Sequence, residues 1–229
     1  PDVPPPAGVK GHHPFLAPAP DGKSAAVGYD RKGPDREANL PLALFDLTTN
    51  RAVRELTWAG GGVSFTADGR RVLVLDYVGK GRWFKLPSGE PDGEFDLGPP
   101  RFWKHELHGV SADGSVVAYF GPRGRAGGIG PASLDGKTGA VLNSFPPAPN
   151  NNCGVSVSAD GRRVAWTLNN NGASSAVVAD ARTGAEFARV PVGGPIAFPA
   201  LSADGSVLVV TAGPNPYTVQ AYDVRGPNP

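Results

Sequence analysis

Histidines, cysteines and recurring carboxylates are the side chains that bind metals and move protons, so their positions are the first thing to weigh. The chain holds four histidines, His12, His13, His105 and His108, and a single cysteine, Cys153. Imidazole and thiolate are good ligands for zinc and other transition metals. His13 and His105 each stand eight residues before an Asp-Gly pair, and Cys153 stands seven before another. No compact ligand spacing joins them, so they read as solvated loop residues, and neither a metal nor another cofactor is expected.

Carboxylates recur in "PAPDGKS", "FTADGRR", "VSADGSV", "VSADGRR" and "LSADGSV", as Asp21, Asp68, Asp113, Asp160 and Asp204. A carboxylate repeated in every segment reads as a turn former and not as a catalytic acid, because Asp-Gly tolerates the positive φ that a tight reversal needs. Two phosphate-loop lookalikes fail on context. "GPRGRAGGIG" has no helix after it, and "DGKTG" has Pro131 where the earlier glycine should stand. The chain contains no G-x-S-x-G elbow and no H-E-x-x-H pair. No residue is therefore assigned a catalytic role.

Charge gives a second lead. Lys10, Arg31, Lys32, Arg36, Lys80, Arg82, Arg101, Lys104, Arg123 and Arg125 fall in segments between the apolar runs, against only Asp30, Asp35, Glu37 and Glu106. Trp103, Trp58 and Tyr217 lie in or beside the same segments, as do Asn150–Asn152 and Asn169–Asn171, which include Asn151 and Asn170. A basic surface with aromatic anchors and amides could steer and hold an acidic protein segment. The bland alternative is that loops are simply where charge collects.

The elements that position these residues repeat. The anchor aspartates are spaced by 47, 45, 47 and 44 residues, the length of a four-stranded propeller blade. Four and six residues after each one come Ala25/Val27, Val72/Val74, Val117/Tyr119, Val164/Trp166 and Leu208/Val210, an alternation that predicts a strand with one buried face. Four residues before each stands a small residue, Ala17, Ser64, Gly109, Ser156 or Ala200, as suits an innermost strand. Third strands end in "LFDLTTN", "WFKLPSGE", "SLDGKTG" and "VADARTG", and fourth strands follow as "RAVRELTW", "GEFDLG", "AVLNSF" and "AEFARV". The last repeat has "TVQAYDVRG" as a third strand and no fourth.

These repeats resemble the blades of WD40-type or PD40/YVTN-type β-propellers. Gly11-His12 and Phe45-Asp46 echo the family's GH and WD pairs, although Phe84-Lys85 replaces the second pair in the next repeat. The resemblance implies one all-β domain over residues 1–229, a β-propeller of five recognisable four-stranded blades at about 12–59, 60–100, 101–148, 149–193 and 194–229. Residues 3–11, "VPPPAGVKG", would complete the last blade as an outer edge strand that tolerates proline. A larger ring with further blades outside this piece is the alternative. The resemblance also places the basic segments on one common face, called the top, where His12, His13, His105 and His108 join them.

The totals agree with such a fold. Gly 32 and Pro 25 in 229 residues suit many short strands and turns, and a chain this long buries roughly 70% of its unfolded surface. A net charge of +1 argues against nucleic acid, and no apolar run is long enough to span a membrane. With one cysteine and no methionine, the chain reads as a soluble, excised or processed piece whose compartment, cytoplasmic or exported, is open. The expected role is a non-catalytic module for protein–protein interaction or ligand sensing. Its partner would be a protein with an acidic segment or other domains of the same chain. The alternative is a propeller enzyme of lactonase or hydrolase type.

Overall fold

The computed structural model describes residues 14–29, 40–49, 51–58, 62–75, 80–97, 108–121, 130–146, 154–170, 173–192, 196–212 and 218–225. Each repeat begins with an Asp-Gly reversal. Gly22, Gly69, Gly114, Gly161 and Gly205 adopt φ between 66° and 71°, a region closed to most side chains. In four of the five, a hydroxyl three residues ahead of the glycine completes the turn, Ala19 taking that place in the first. Ser158 Oγ donates to Asp160 Oδ1 at 2.6 Å and accepts from the Arg163 N–H at 3.0 Å. Thr66, Ser111 and Ser202 make the same pair of bonds in their repeats. Each aspartate also accepts the N–H two residues on, as from Arg70, Ser115 and Ser206.

Strands follow from these turns in four complete antiparallel sheets and one of three strands. Blade one is β1 (Pro14–Pro18), β2 (Ser24–Tyr29), β3 (Leu40–Asp46) and β4 (Arg51–Trp58). Blade two is β5 (Val63–Phe65), β6 (Arg71–Leu75), β7 (Lys80–Lys85) and β8 (Pro91–Asp96). Blade three is β9 (His108–Val110), β10 (Val116–Gly121), β11 (Gly130–Asp135) and β12 (Val141–Ser144). Blade four is β13 (Val155–Val157), β14 (Arg163–Asn170), β15 (Ala173–Asp180) and β16 (Glu186–Val192). Blade five is β17 (Ile196–Leu201), β18 (Val207–Ala212) and β19 (Thr218–Asp223). Within every sheet the strands lie in chain order, with the first at one edge. The chain divides into two compact units, Pro1–Leu97 and Gly98–Pro229.

The second strands depart from the expected alternation. Val72, Leu73, Val74 and Leu75 are all buried, as are Val164, Ala165, Trp166, Thr167 and Leu168. In blade four the reason is that successive residues face the preceding and the following blade. In the first unit, Ala26, Leu42 and Leu44 of blade one pack with Val63, Val72, Val74 and Phe84 of blade two. In the second, Val116, Ala118 and Phe120 of blade three meet Val164, Trp166, Val177 and Ala179 of blade four. Ala165, Ala176 and Val178, on the other face of blade four, meet Leu208, Val210 and Ala212 of blade five. Each such Val or Leu contributes about 1.5–3 kcal/mol when fully buried.

Small residues on the first strands are explained by the same stacking. A Cβ on Gly109 would lie 3.0 Å from the Val157 backbone nitrogen in the next blade. The turns are also joined by backbone hydrogen bonds between blades. The Ala112 N–H donates to the Ala159 carbonyl at 2.8 Å, and the Ala159 N–H donates to the Ala203 carbonyl at 2.8 Å.

Third strands end in a second kind of reversal. Asp46, Asp135 and Asp180 each accept two N–H groups, from residues two and three positions on. A register shift interrupts β3–β4, β7–β8, β11–β12 and β15–β16 at the same place, just before this turn. Such bulges bend the strand and increase its twist.

Candidate binding surface

Alternation along β7 puts Lys80 and Arg82 on one face, and the antiparallel register brings Glu94 of β8 opposite Arg82. Lys80 Nζ lies 2.5 Å from Glu94 Oε1, and Arg82 Nε lies 2.9 Å from Glu94 Oε2. Hydrogen bonds from Lys80 and then Arg82 hold the Glu94 carboxyl below its ordinary value. This corrects the expectation of two loop cations. They are strand residues whose charge is matched by a carboxylate that is distant in sequence.

His108 is likewise a strand residue, half-buried at the start of β9 and opposite Tyr119. Asn170 ends β14 opposite Ala173, so Asn169 and Asn170 of the second asparagine run extend a strand instead of forming a loop. His12, His13, Arg31, Lys32, Arg36, Arg101, Trp103, Lys104, His105, Arg123, Arg125, Asn151 and Tyr217 lie outside the described residues, as do residues 3–11.

Two concavities lie between neighbouring blades, at places that correspond in the repeat. One, of about 580 Å³, is lined by Arg54 and Glu55 of β4, Arg82 and Phe84 of β7, and Pro91 and Glu94 of β8. The other, of about 490 Å³, is lined by Asn143 and Phe145 of blade three and by Trp166, Leu168, Glu186 and Arg189 of blade four. Arg54 and Asn143 occupy equivalent positions. A Cβ on Gly89 would collide with the Arg54 side chain, and one on Gly184 with that of Asn143. Both glycines have positive φ, at 68° and 73°.

Charged and aromatic side chains line both grooves. Phe145 and Trp166 are 4.6 Å apart with a tilt of 36°. The Trp166 indole N–H is buried with no acceptor among the described residues. Among the described residues, no group of three His, Cys, Asp or Glu side chains converges as a metal site would require, and no helix is long and apolar enough to cross a membrane.

Comparison with known proteins defines the class. No family model matches the chain, and no curated protein matches its sequence. Among solved structures it is similar to hydrazine synthase from Kuenenia stuttgartiensis, with a TM-score of 0.66 at 14% identity over 96% of this chain and 66% of that one. It is also similar to the Dos1 propeller, at TM-score 0.65 and 13% identity over 93% and 56% of the two chains. TolB from Acinetobacter baumannii matches at 0.59 and 16% identity, over 92% and 51%. The chain thus spans about half to two thirds of the length of these structures. With its stacked antiparallel sheets, it has a β-propeller fold, and five blades account for its repeats. Likeness at such low identity establishes the fold alone.

Proposed function

We propose that this chain is a non-catalytic propeller module of WD40-like type, part of a larger protein, whose basic loops capture an acidic segment of a protein partner. The state of its carboxylates carries this reading. Backbone and side-chain donors in the turns hold Asp46, Asp68, Asp113, Asp135, Asp180 and Asp204 below the ordinary value. Acids fixed in this way as turn acceptors are poor proton donors near neutral pH. With Lys80 and Arg82 set aside as strand residues, the basic segments still carry Lys10, Arg31, Lys32, Arg36, Arg101, Lys104, Arg123 and Arg125 against Asp30, Asp35, Glu37, Asp76 and Glu106, which favours recognition over turnover. The WD40-like assignment draws on Phe45, buried at the position of the family's tryptophan, and on Asp46, which closes its turn.

A fluorescein-labelled glutamate-rich peptide tests the proposal by anisotropy. Binding should weaken at least tenfold in R123E/R125E and fall steeply with added salt, while K137E, in a turn between third and fourth strands, should leave it unchanged. Equal binding by wild type and R123E/R125E overturns the proposal, as does binding that is indifferent to salt.

A further inference from the structure

Within each unit, a blade turns one sheet face to the blade that follows it, as blade one does to blade two, blade three to blade four and blade four to blade five. The register identifies that face residue by residue. Ala26, Leu42 and Leu44 form it in blade one, and Ala165, Ala176 and Val178 form it in blade four. The same positions in blade five are Val209, Val219 and Ala221. Leu42 and Ala176 are 0% exposed, and Gly81 and Pro131 at that position in blades two and three are also buried. Val219, by contrast, is 71% exposed.

The neighbours of Val219 follow suit. Val207, 37% exposed, lies on this face. So does Phe198, 60% exposed, whose N–H is held by the Thr211 hydroxyl. Three of the six large exposed hydrophobic side chains among the described residues therefore share one sheet face. A polar element accompanies them. Ala203 receives the bond from Ala159, and its own N–H, at an exposed residue, is the next donor in that series.

We propose that this face of blade five docks a further blade of the same repeat. Its occupant is a four-stranded antiparallel sheet presenting the face that Val164, Trp166, Val177 and Ala179 form in blade four, with a turn carbonyl that accepts from Ala203. The argument is continuity with an interface the chain already builds. Equivalent apolar positions on blades one and four are covered by a following blade, and the turn bond that accompanies the stacking in blades three to five stands ready to be repeated. This surface is separate from the basic loops and stands whether or not they bind acidic peptide.

Thiol labelling tests it. V219C is placed in a Cys153→Ser background, with V53C, on the 44%-exposed Val53 of β4, as reference. In the chain alone both should react with maleimide at similar rates. In a chain extended at its C-terminus by a second copy of residues 149–193, V219C should react at least tenfold more slowly and V53C should be unchanged. Introducing V164D and W166D into the added copy should abolish the protection. Undiminished labelling in the extended chain overturns the proposal. Slow labelling of V219C in the chain alone also overturns it: if independent of concentration, another segment of this chain covers the face, and if growing with concentration, a second copy does.

Discussion

Blade four contains two buried hydroxyls whose removal should act in opposite directions. Ser158 and Thr167 are both 0% exposed. The Ser158 hydroxyl donates to Asp160 at 2.6 Å and accepts from the Arg163 N–H at 3.0 Å, so Ser158→Ala strands a backbone donor and strips a carboxylate of a short bond. An unsatisfied buried donor costs about 1–3 kcal/mol, which puts the loss at about 2 kcal/mol. The Thr167 hydroxyl has no partner among the described residues. Blades two and three place Leu75 and Phe120 at the same register position, which shows that an apolar side chain is tolerated there. Thr167→Val keeps the shape, removes the unpaired hydroxyl and should stabilise by about 1 kcal/mol. In a chain of this size 1 kcal/mol moves the thermal midpoint by about 2–4 °C, so circular dichroism melts resolve both effects. A neutral Ser158→Ala would refute the hydroxyl-aspartate turn as a source of stability. A destabilising Thr167→Val would show that the hydroxyl is engaged.

Arg163 bridges blades four and five, with Nη1 at 2.9 Å from the Gly205 carbonyl and 2.7 Å from that of Val224 and its guanidinium 4.5 Å from the Phe187 ring centre; R163K cannot reproduce that planar fork and should lower the urea midpoint by the equivalent of about 1–2 kcal/mol, whereas an unchanged midpoint would remove the bridge from the account. Acid should lower stability in a defined window. Asp204 is lowered to about 2 by hydrogen bonds from the Ser206 N–H and the Ser202 and Ser206 hydroxyls, and Asp223 to about 2 by Arg225. Because these folded-state values lie below the unfolded value near 3.8, the stability they supply is present above about pH 4 and drains away as pH falls toward 2. Urea midpoints measured from pH 5 to 2 should decline through that range, and a flat profile would contradict the turn assignment. Glu94→Gln should cost less than about 1 kcal/mol, since both pairs are exposed; a urea midpoint that falls by more than this equivalent would contradict the exposed-pair reading.

Much of the fold was legible because its turns have chemical requirements that survive divergence. Asp-Gly at spacings of 44 to 47 residues marked all five repeats, and every one of those glycines has positive φ. The burial of both strand faces was harder to read. Val164 and Trp166 look like the apolar half of an amphipathic strand because Ala165 and Thr167 between them are small or polar, yet these face the next blade, where little space remains. Lys80 and Arg82 were taken for a loop because glycines flank Lys80. Gly81 is instead a strand residue whose missing side chain makes room for Phe95, since a Cβ there would fall 2.3 Å from the ring. The bulges before the third-to-fourth turns left no mark in residue type, and Glu94 meets its cations only through the sheet register.

One proline gives the stack an order of failure. Pro20 occupies the turn position held by Ala112 and Ala159 in later blades, and proline has no N–H to donate. The seam between the first two blades must therefore hold by side-chain contact alone at this point, with the Asp21 carboxyl resting against Gly69. A seam without its backbone tether is the first to admit water. Amides of β5 and β6 should accordingly lose their protection against solvent deuterium sooner than those of β13 and β14, so that the repeats, alike in outline, come apart in sequence and not at once.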